Sequence, residues 1–274
     1  MVSELTFHEC GRIKPFFSGP GFDLLLSAIH DGNSTAQIWT DVTPDPESVF
    51  LWDQANNVFY LSGCAHNQPF NDAVATILKR KVIPDLRRTH RTSFRLRTTS
   101  TTWTHQATRI FQNADLREGR YTMYAHRGHP TPHWTTAIPE DFELQPIDDP
   151  FLNQTPYANV EAVTREIRQM WPSIPRFLQY GFGYALVHDG QVASWCTSEY
   201  LSQSQCGLGI ETVKAYRNRG LATLVAAACV EHSQQRRLQP HWECNVKNHA
   251  SRRVAEKVGF TLIGTYPILY GRFS

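Results

Sequence analysis

Closely spaced cysteine pairs, long apolar runs and a large net charge of either sign are all missing from this chain. Its six cysteines, Cys10, Cys64, Cys196, Cys206, Cys229 and Cys244, include no C-x-x-C pair, which argues against a disulfide framework and against a zinc knuckle. The expectation is buried free thiols in a reducing, cytoplasmic setting, with no metal. The most apolar long stretch, Leu221 to Val230, is interrupted by Thr223 and has about half the length of a membrane span, so no membrane partner is expected. Met1 to Cys10 carries Glu4, His8 and Glu9 and lacks both a basic and an apolar region, so no secretory leader is expected. With 27 basic and 25 acidic residues the formal charge is +2, too small to draw the whole molecule to nucleic acid. The densest basic run, Lys79 to Arg97, holds eight Lys or Arg in nineteen positions but only Phe94 as an aromatic. It reads as a solvated helix face followed by a basic strand, and no nucleic-acid partner is expected.

What is present is apolar material for a sizeable core, 41% of 274 residues, in a chain longer than one usual domain. Turn and breaker residues cluster from Gly128 to Pro139, which places a boundary between residues 1–136 and 137–274. In the first part, Phe22 to His30, Asp72 to Lys81 and Thr102 to Phe111 read as helices. Val49 to Trp52, Val58 to Ser62, Phe94 to Thr98 and Tyr121 to Ala125 read as strands, the first two joined around Asn56 and Asn57. In the second part, Phe142 to Ile147 is a strand and Val160 to Met170 a helix ended by Pro172 and Pro175. Tyr184 to His188 and Val192 to Tyr200 form a hairpin through Asp189 and Gly190. Leu208 to Val213 then leads into a helix from Leu221, followed by strand Trp242 to Asn245, helix Ala250 to Val258 and strand Phe260 to Tyr266. The fold class is α/β in the mixed (α+β) sense, with a mostly antiparallel sheet and flanking helices.

The informative segment is Ile210 to Thr223, where a strand runs through Arg217, Asn218, Arg219, Gly220, Leu221 and Ala222 directly into a helix. The start of a helix exposes unpaired N–H groups and the positive end of its dipole, and it holds phosphate when no side chain blocks the approach. Gly220 and Ala222 remove that block, and two arginines add attraction at longer range. A plain strand-to-helix turn with a basic edge would look the same on these six residues alone.

The wider pattern resembles the GNAT superfamily of acyl-CoA-dependent N-acetyltransferases. The pieces that carry the likeness are Arg217 to Ala222 as R-x-x-G-x-A, then Trp242, Glu243 and Cys244, Asn248, Ser251, and the run Ala255 to Phe260. The PHWECN and SRRVAEKVGF runs are most similar to the group containing the zwittermicin-resistance acetyltransferases. The N-terminal half repeats the same order of elements, with Ala65 to Asn71 where the phosphate loop would sit. It resembles a degenerate second copy, since Pro69 removes an N–H and Phe70 adds bulk.

That resemblance implies an enzyme that moves an acetyl group from acetyl-CoA directly to a primary amine. The pantetheine arm would lie where the strand before the loop parts from its neighbour, near Thr212 and Val213. The diphosphate would rest on the amides of Arg219, Gly220, Leu221, Ala222 and Thr223, with Asn248 and Ser251 on the far side. For Asn248 a helix-capping role stays equally open. A backbone N–H near Thr212 would face the developing oxyanion. Because an alkylammonium is ~99.9% protonated at pH 7, a base is useful; Glu243 is the first candidate and Glu211 the second. Family members often have a tyrosine, acting as general acid, where this chain has Ala255. Tyr200, Tyr266, Tyr270 and Ser251 are the alternatives for that role. His241 reads as a surface histidine and Cys244 as strand packing. The acceptor is expected to be a small-molecule amine in a pocket walled by residues such as Trp171 or Tyr157, and the protein a monomer or homodimer. The competing readings are a lysine or N-terminal protein acetyltransferase and a non-catalytic acyl-CoA sensor.

Overall fold

The computed structural model describes residues 2–18, 20–42, 44–128, 134–154 and 156–273. The chain folds into two units, Met1–Tyr121 together with Tyr266–Ser274, and Thr122–Thr265. The sequence puts a boundary at 136/137, in a Pro-rich stretch of which residues 129–133 lie outside the described ones. The two units instead change over within extended strands, and the last residues return to the first unit. A loop rich in proline is visible in composition, whereas a strand that serves two units carries no compositional mark.

The first unit begins with β1 (Ser3–Leu5), a 3-10 stretch (Phe7–Phe16) and α1 (Pro20–His30), followed by β2 (Ala36–Thr40), β3 (Ser48–Asp53) and β4 (Val58–Gly63). These four strands pair antiparallel in chain order. At the β3–β4 turn Asn57 takes φ 50°. Its side chain accepts from Trp52 Nε1 at 3.0 Å and donates to the carbonyls of Arg91 and Ser93, which ties the hairpin to the strand that comes later. A parallel neighbour needs a crossover, and α2 (Gln68–Ile77), a wide turn (Leu78–Val82) and α3 (Ile83–Arg88) supply it. β5 (Ser93–Thr98) thereby lies parallel to β4. α4 (Thr101–Ile110) follows, capped by the Ser100 hydroxyl. Trp39, Phe50, Phe59, Phe94, Trp103, Phe111 and Phe273 fill the core, with Phe94 and Phe273 stacked at 4.4 Å. Each such ring removed from water contributes about 1.5–3 kcal/mol.

β6 (Arg117–His126) runs into the second unit, which continues with β7 (Glu143–Pro146), α5 (Val160–Met170), α6 (Ile174–Tyr180), β8 (Gly183–His188), β9 (Gln191–Leu201) and β10 (Gln205–Thr212). α7 (Leu221–Gln235), β11 (Gln239–Asn245), α8 (His249–Lys257) and β12 (Phe260–Arg272) complete the chain. The helix α6 has no counterpart in the sequence reading, because a proline pair looks like a stop. Pro175 in fact sits in its first turn behind a Ser173 cap, where the missing N–H costs nothing. Asp189 and Gly190 both take positive φ, 47° and 69°, as a two-residue turn between twisted strands requires. α7 is buried on every side from Leu224 to Val230, a wider apolar surface than the single stripe its spacing suggests.

Within this unit the strand order is β6-β11-β10-β9-β8-β7. β7 to β10 pair antiparallel in succession, and β10 and β11 pair parallel across α7. The first unit shows the same progression, three antiparallel pairs and then a parallel pair across a helix. Beyond that pair the first unit takes a strand from the C-terminal segment, Leu269–Arg272 of β12 joining β5, and in the second unit β6, its first strand, flanks β11. The fold is mixed α/β with a mostly antiparallel sheet, and its first half repeats the topology of the second. No helix among the described residues is long and apolar enough to cross a membrane.

Candidate active site

Two neighbouring strands of the second unit stop pairing partway along. β10 and β11 are matched only at Gln205 with Gln239, Cys206 with Pro240 and Gly207 with His241, although β10 runs on to Thr212 and β11 to Asn245. β10 meanwhile stays in register with β9 as far as Thr212 opposite Ser194. Beyond Gly207 the sheet therefore opens between β10 and β11. Successive N–H groups of a strand point to opposite sides. Val213 N donates to Ala193 O on β9 at 2.9 Å, so the Thr212 N–H points to the open side, where it meets Glu211 Oε1 at 3.0 Å.

The segment after β10 is folded back onto that strand. Arg217 donates from Nε to the Thr212 carbonyl at 3.0 Å, and its terminal nitrogen is 3.1 Å from Glu211 Oε1. Glu211 and Arg217 thus hold each other. Asn218 and Gly220 both take left-handed backbone, φ 64° and 82°, and a Cβ built on Gly220 would meet nothing within 4 Å. No side chain caps α7. Asn248 does cap α8, its Oδ1 accepting from Ser251 N at 3.1 Å. The Ser251 hydroxyl accepts from Trp242 Nε1 at 3.0 Å. Of the residues assigned to the donor from sequence, Gly220 borders open space, whereas Arg217, Asn248 and Ser251 are engaged locally, Arg219 lies over the Tyr216 ring at 5.6 Å and Thr223 N donates to the Gly220 carbonyl at 2.9 Å.

One face of the sheet at this opening is rich in ionisable groups. Directly paired residues share a face, so Glu199, Gly207 and His241 lie on the same side, and alternation adds Trp195, Thr197, Gly209, Glu211 and Glu243. The Glu199 carboxylate lies over Gly209, where any Cβ would collide with it. Glu166, from α5, accepts from Trp195 Nε1 at 2.9 Å and from Thr197 Oγ1 at 3.1 Å. Burial pushes its carboxyl above the ordinary range, the two hydrogen bonds oppose that, and the Glu211 charge adds to it. On β11 the even positions are buried and the odd ones half-open. His241 Nε2 and Glu243 Oε1 stand 3.0 Å apart, with 14% and 24% of their side chains exposed.

The other candidates are placed elsewhere. Tyr200, at φ 43°, is the extra residue of a bulge, since Leu201 pairs with Cys206 and Glu199 with Gly207. Tyr266 and Tyr270 belong to the first unit, where Tyr266 stacks on the Arg97 guanidinium at 3.8 Å. Trp171 is buried and donates to the Ser198 carbonyl at 2.8 Å; Tyr157 packs on Phe151. Cys244 is buried beside the Thr122 hydroxyl. Burial raises the Cys206 thiol to about 12 and lifts Cys196 as well, so neither offers a thiolate at neutral pH. His241 and Glu166 were the groups that sequence reasoning passed over. A His-x-Glu spacing in a strand, and a glutamate three residues after Val163 on an apolar helix stripe, were their signals.

The model of the GNAT acetyltransferase family matches residues 14–269. A curated protein of Bacillus subtilis (strain 168), named as the uncharacterized N-acetyltransferase YdfB, is 25% identical over 270 residues, 98% of each chain. Among solved structures, a GCN5-related N-acetyltransferase-like protein from Streptococcus suis 89/1591 superimposes with a TM-score of 0.75 at 20% identity, over 98% of this chain and 100% of that one. A tandem GNAT protein from the clavulanic acid biosynthesis pathway does so with a TM-score of 0.56 at 13% identity, over 100% and 98%. These two likenesses concern the fold.

Proposed function

Because the chain belongs to the GNAT acetyltransferase family, we propose that it transfers an acetyl group from acetyl-CoA to the primary amine of a small molecule, using the opening between β10 and β11. The observation that carries this reading is the loss of pairing after Gly207 and His241, beside a fifteen-residue helix whose first turn has no side-chain cap. The residues fit the donor. The edge of β10 left unpaired beyond Gly207 would hold an amide-bearing arm, and the amides of residues 219–223 would hold a diphosphate in the space that Gly220 leaves open. Bound there, acetyl-CoA supplies an activated thioester. The chain holds amine and thioester together, so that orientation lowers the barrier. The Thr212 N–H is the oxyanion donor on the open side once it exchanges the Glu211 carboxylate for the reacting oxygen. Proton removal falls to β11, where Glu243 and His241 face the opening.

Glu166, Glu199, Glu211 and Glu243 make this face attractive to an ammonium group, and the likeness of the β11–α8 segment to the zwittermicin-resistance group favours an amino-containing metabolite. Calorimetry with acetyl-CoA, followed by a thiol-release assay over a panel of amines and peptides, tests the reading. The expected result is one acetyl-CoA per chain and thiol release with small amines. Absence of acetyl-CoA binding would overturn it. Binding without release on any amine would mark a sensor, and release on peptides alone a protein acetyltransferase.

A further inference from the structure

We infer that His241 is the group that accepts the amine proton, and that Glu243 is its positioning partner. This rests on the proposed acetyl transfer and divides the proton work within it. An ionised carboxylate only accepts hydrogen bonds. The 3.0 Å contact between His241 Nε2 and Glu243 Oε1 therefore fixes the neutral imidazole with its proton on Nε2 and its lone pair on Nδ1. Among the described residues Nδ1 has no hydrogen-bond partner. The same division holds in a Ser-His-Asp triad, where the carboxylate sets the tautomer and stabilises the imidazolium.

Proton affinity points the same way. An ordinary imidazole is a stronger base than an ordinary carboxylate by about 2 pKa units, roughly a hundredfold, and an adjacent negative charge widens the difference. As the amine nitrogen bonds to the acetyl carbon and the carbon–sulfur bond breaks, His241 takes the nitrogen's proton at Nδ1. It then returns that proton to the departing thiolate, directly or through water. A free imidazolium is a stronger acid than a free thiol by about 2 pKa units, so this return runs in the ordinary direction of proton transfer. One histidine thereby covers both the base role and the acid role that Ala255 leaves unassigned.

The other ionisable groups on this face are Glu199 on β9, Glu211 with Arg217 at the end of β10, and Glu166 from α5. On β6, Thr122 meets Cys244 on the opposite, buried face, so Met123 and Ala125 lie on the His241 side and carry no charge. The surroundings are thus mostly carboxylates.

The test is the pH dependence of kcat at saturating acetyl-CoA for wild type, H241Q and E243Q, using an amine from the thiol-release panel. Wild type should lose activity as acid protonates an imidazole. H241Q should lose that limb together with about 10²–10⁴ in kcat, at unchanged acetyl-CoA affinity. E243Q should keep the limb, because the imidazole that titrates is still present. A wild-type limb in the carboxylate range that H241Q retains and E243Q abolishes would make Glu243 the base and overturn the inference. In the absence of turnover, nitrogen-15 NMR of the neutral His241 ring should find its proton on Nε2 in wild type, and a proton on Nδ1 would refute the pairing. No thiol release from wild type, by contrast, is the failure of the functional reading and is seen before any variant is made.

Discussion

Replacing Gly220 by alanine separates what the loop needs for folding from what it needs for the acetyl donor. At φ 82° an alanine suffers the left-handed penalty, about 1–2 kcal/mol, and no clash adds to it because nothing lies within 4 Å of the new methyl group. Tm should fall by roughly 2–4 °C per kcal/mol. The same open space is where the donor's diphosphate is proposed to sit, and a methyl group there would push the anion off the amides of α7. Losing one charge-assisted hydrogen bond costs about 1.5–3 kcal/mol, which is about a 10- to 150-fold rise in Kd. Gly190 is the internal control, with φ 69° and equally open surroundings but a place in the β8–β9 turn. G190A should lose similar stability and bind coenzyme A as wild type does. Calorimetry at a temperature where both variants are folded reads the difference. If G220A binds coenzyme A within about twofold of G190A, the diphosphate does not sit on this helix and the reasoning fails.

Two further outcomes follow from charges and caps. Burial raises the Glu166 carboxyl above its ordinary 4.5. The folded state therefore keeps this proton after the unfolded chain has released it, and stability falls as pH rises from the unfolded value through the folded one. Urea midpoints across mildly acidic to neutral pH should decline in wild type relative to E166Q, and parallel curves would refute the linkage. In the first unit, Asn67 caps α2 through Phe70 N at 3.2 Å and donates to Asp41 Oδ2 at 2.7 Å. N67A should cost about 1–3 kcal/mol while coenzyme A binding stays at one per chain; a second equivalent bound would show that the cap is what closes this half.

Local chemistry was legible from sequence; partnership across the sheet was not. Asp189 and Gly190 announce their turn because few residues tolerate two positive φ values. Arg217 to Ala222 announces a loop entering a helix because glycine is needed at φ 82°. Neither pattern tells where the Arg217 side chain goes, and it turns to Glu211 and the Thr212 carbonyl. Glu243 was found by its place beside Trp242, but its pairing with His241 depends on strand alternation and on which face stays open. Glu166 lies on the stripe of Val163, Ile167 and Met170, where a glutamate reads as an edge residue until Trp195 and Thr197 are seen to donate to it. The strand Ala36–Thr40 escaped notice for a related reason: five residues, two of them half-exposed, give too short a pattern.

The two copies of the topology differ at the very features on which the proposed donor site rests. β4 and β5 are matched from Val58 with Arg95 to Leu61 with Thr98, and Thr99 N still reaches the Leu61 carbonyl at 3.2 Å. β10 and β11 hold only three matched positions and then part. Each ladder hydrogen bond given up costs about 0.5–1.5 kcal/mol net, so an open sheet is worth keeping only where something fills it. The helix starts differ in the same direction: Asn67 satisfies the first turn of α2, with Pro69 behind it, while α7 has no side-chain cap. The strand after each crossover differs too. β11 presents His241 and Glu243 toward the opening, whereas on β5 Arg97 is stacked between Phe22 and Tyr266 at 3.9 and 3.8 Å. A guanidinium held in that position cannot take up a proton. The first unit thus pairs further along the gap, caps its helix and carries an arginine on the strand where the proposed base stands in the second, and on the proposed mechanism any one of these would oppose acetyl transfer there.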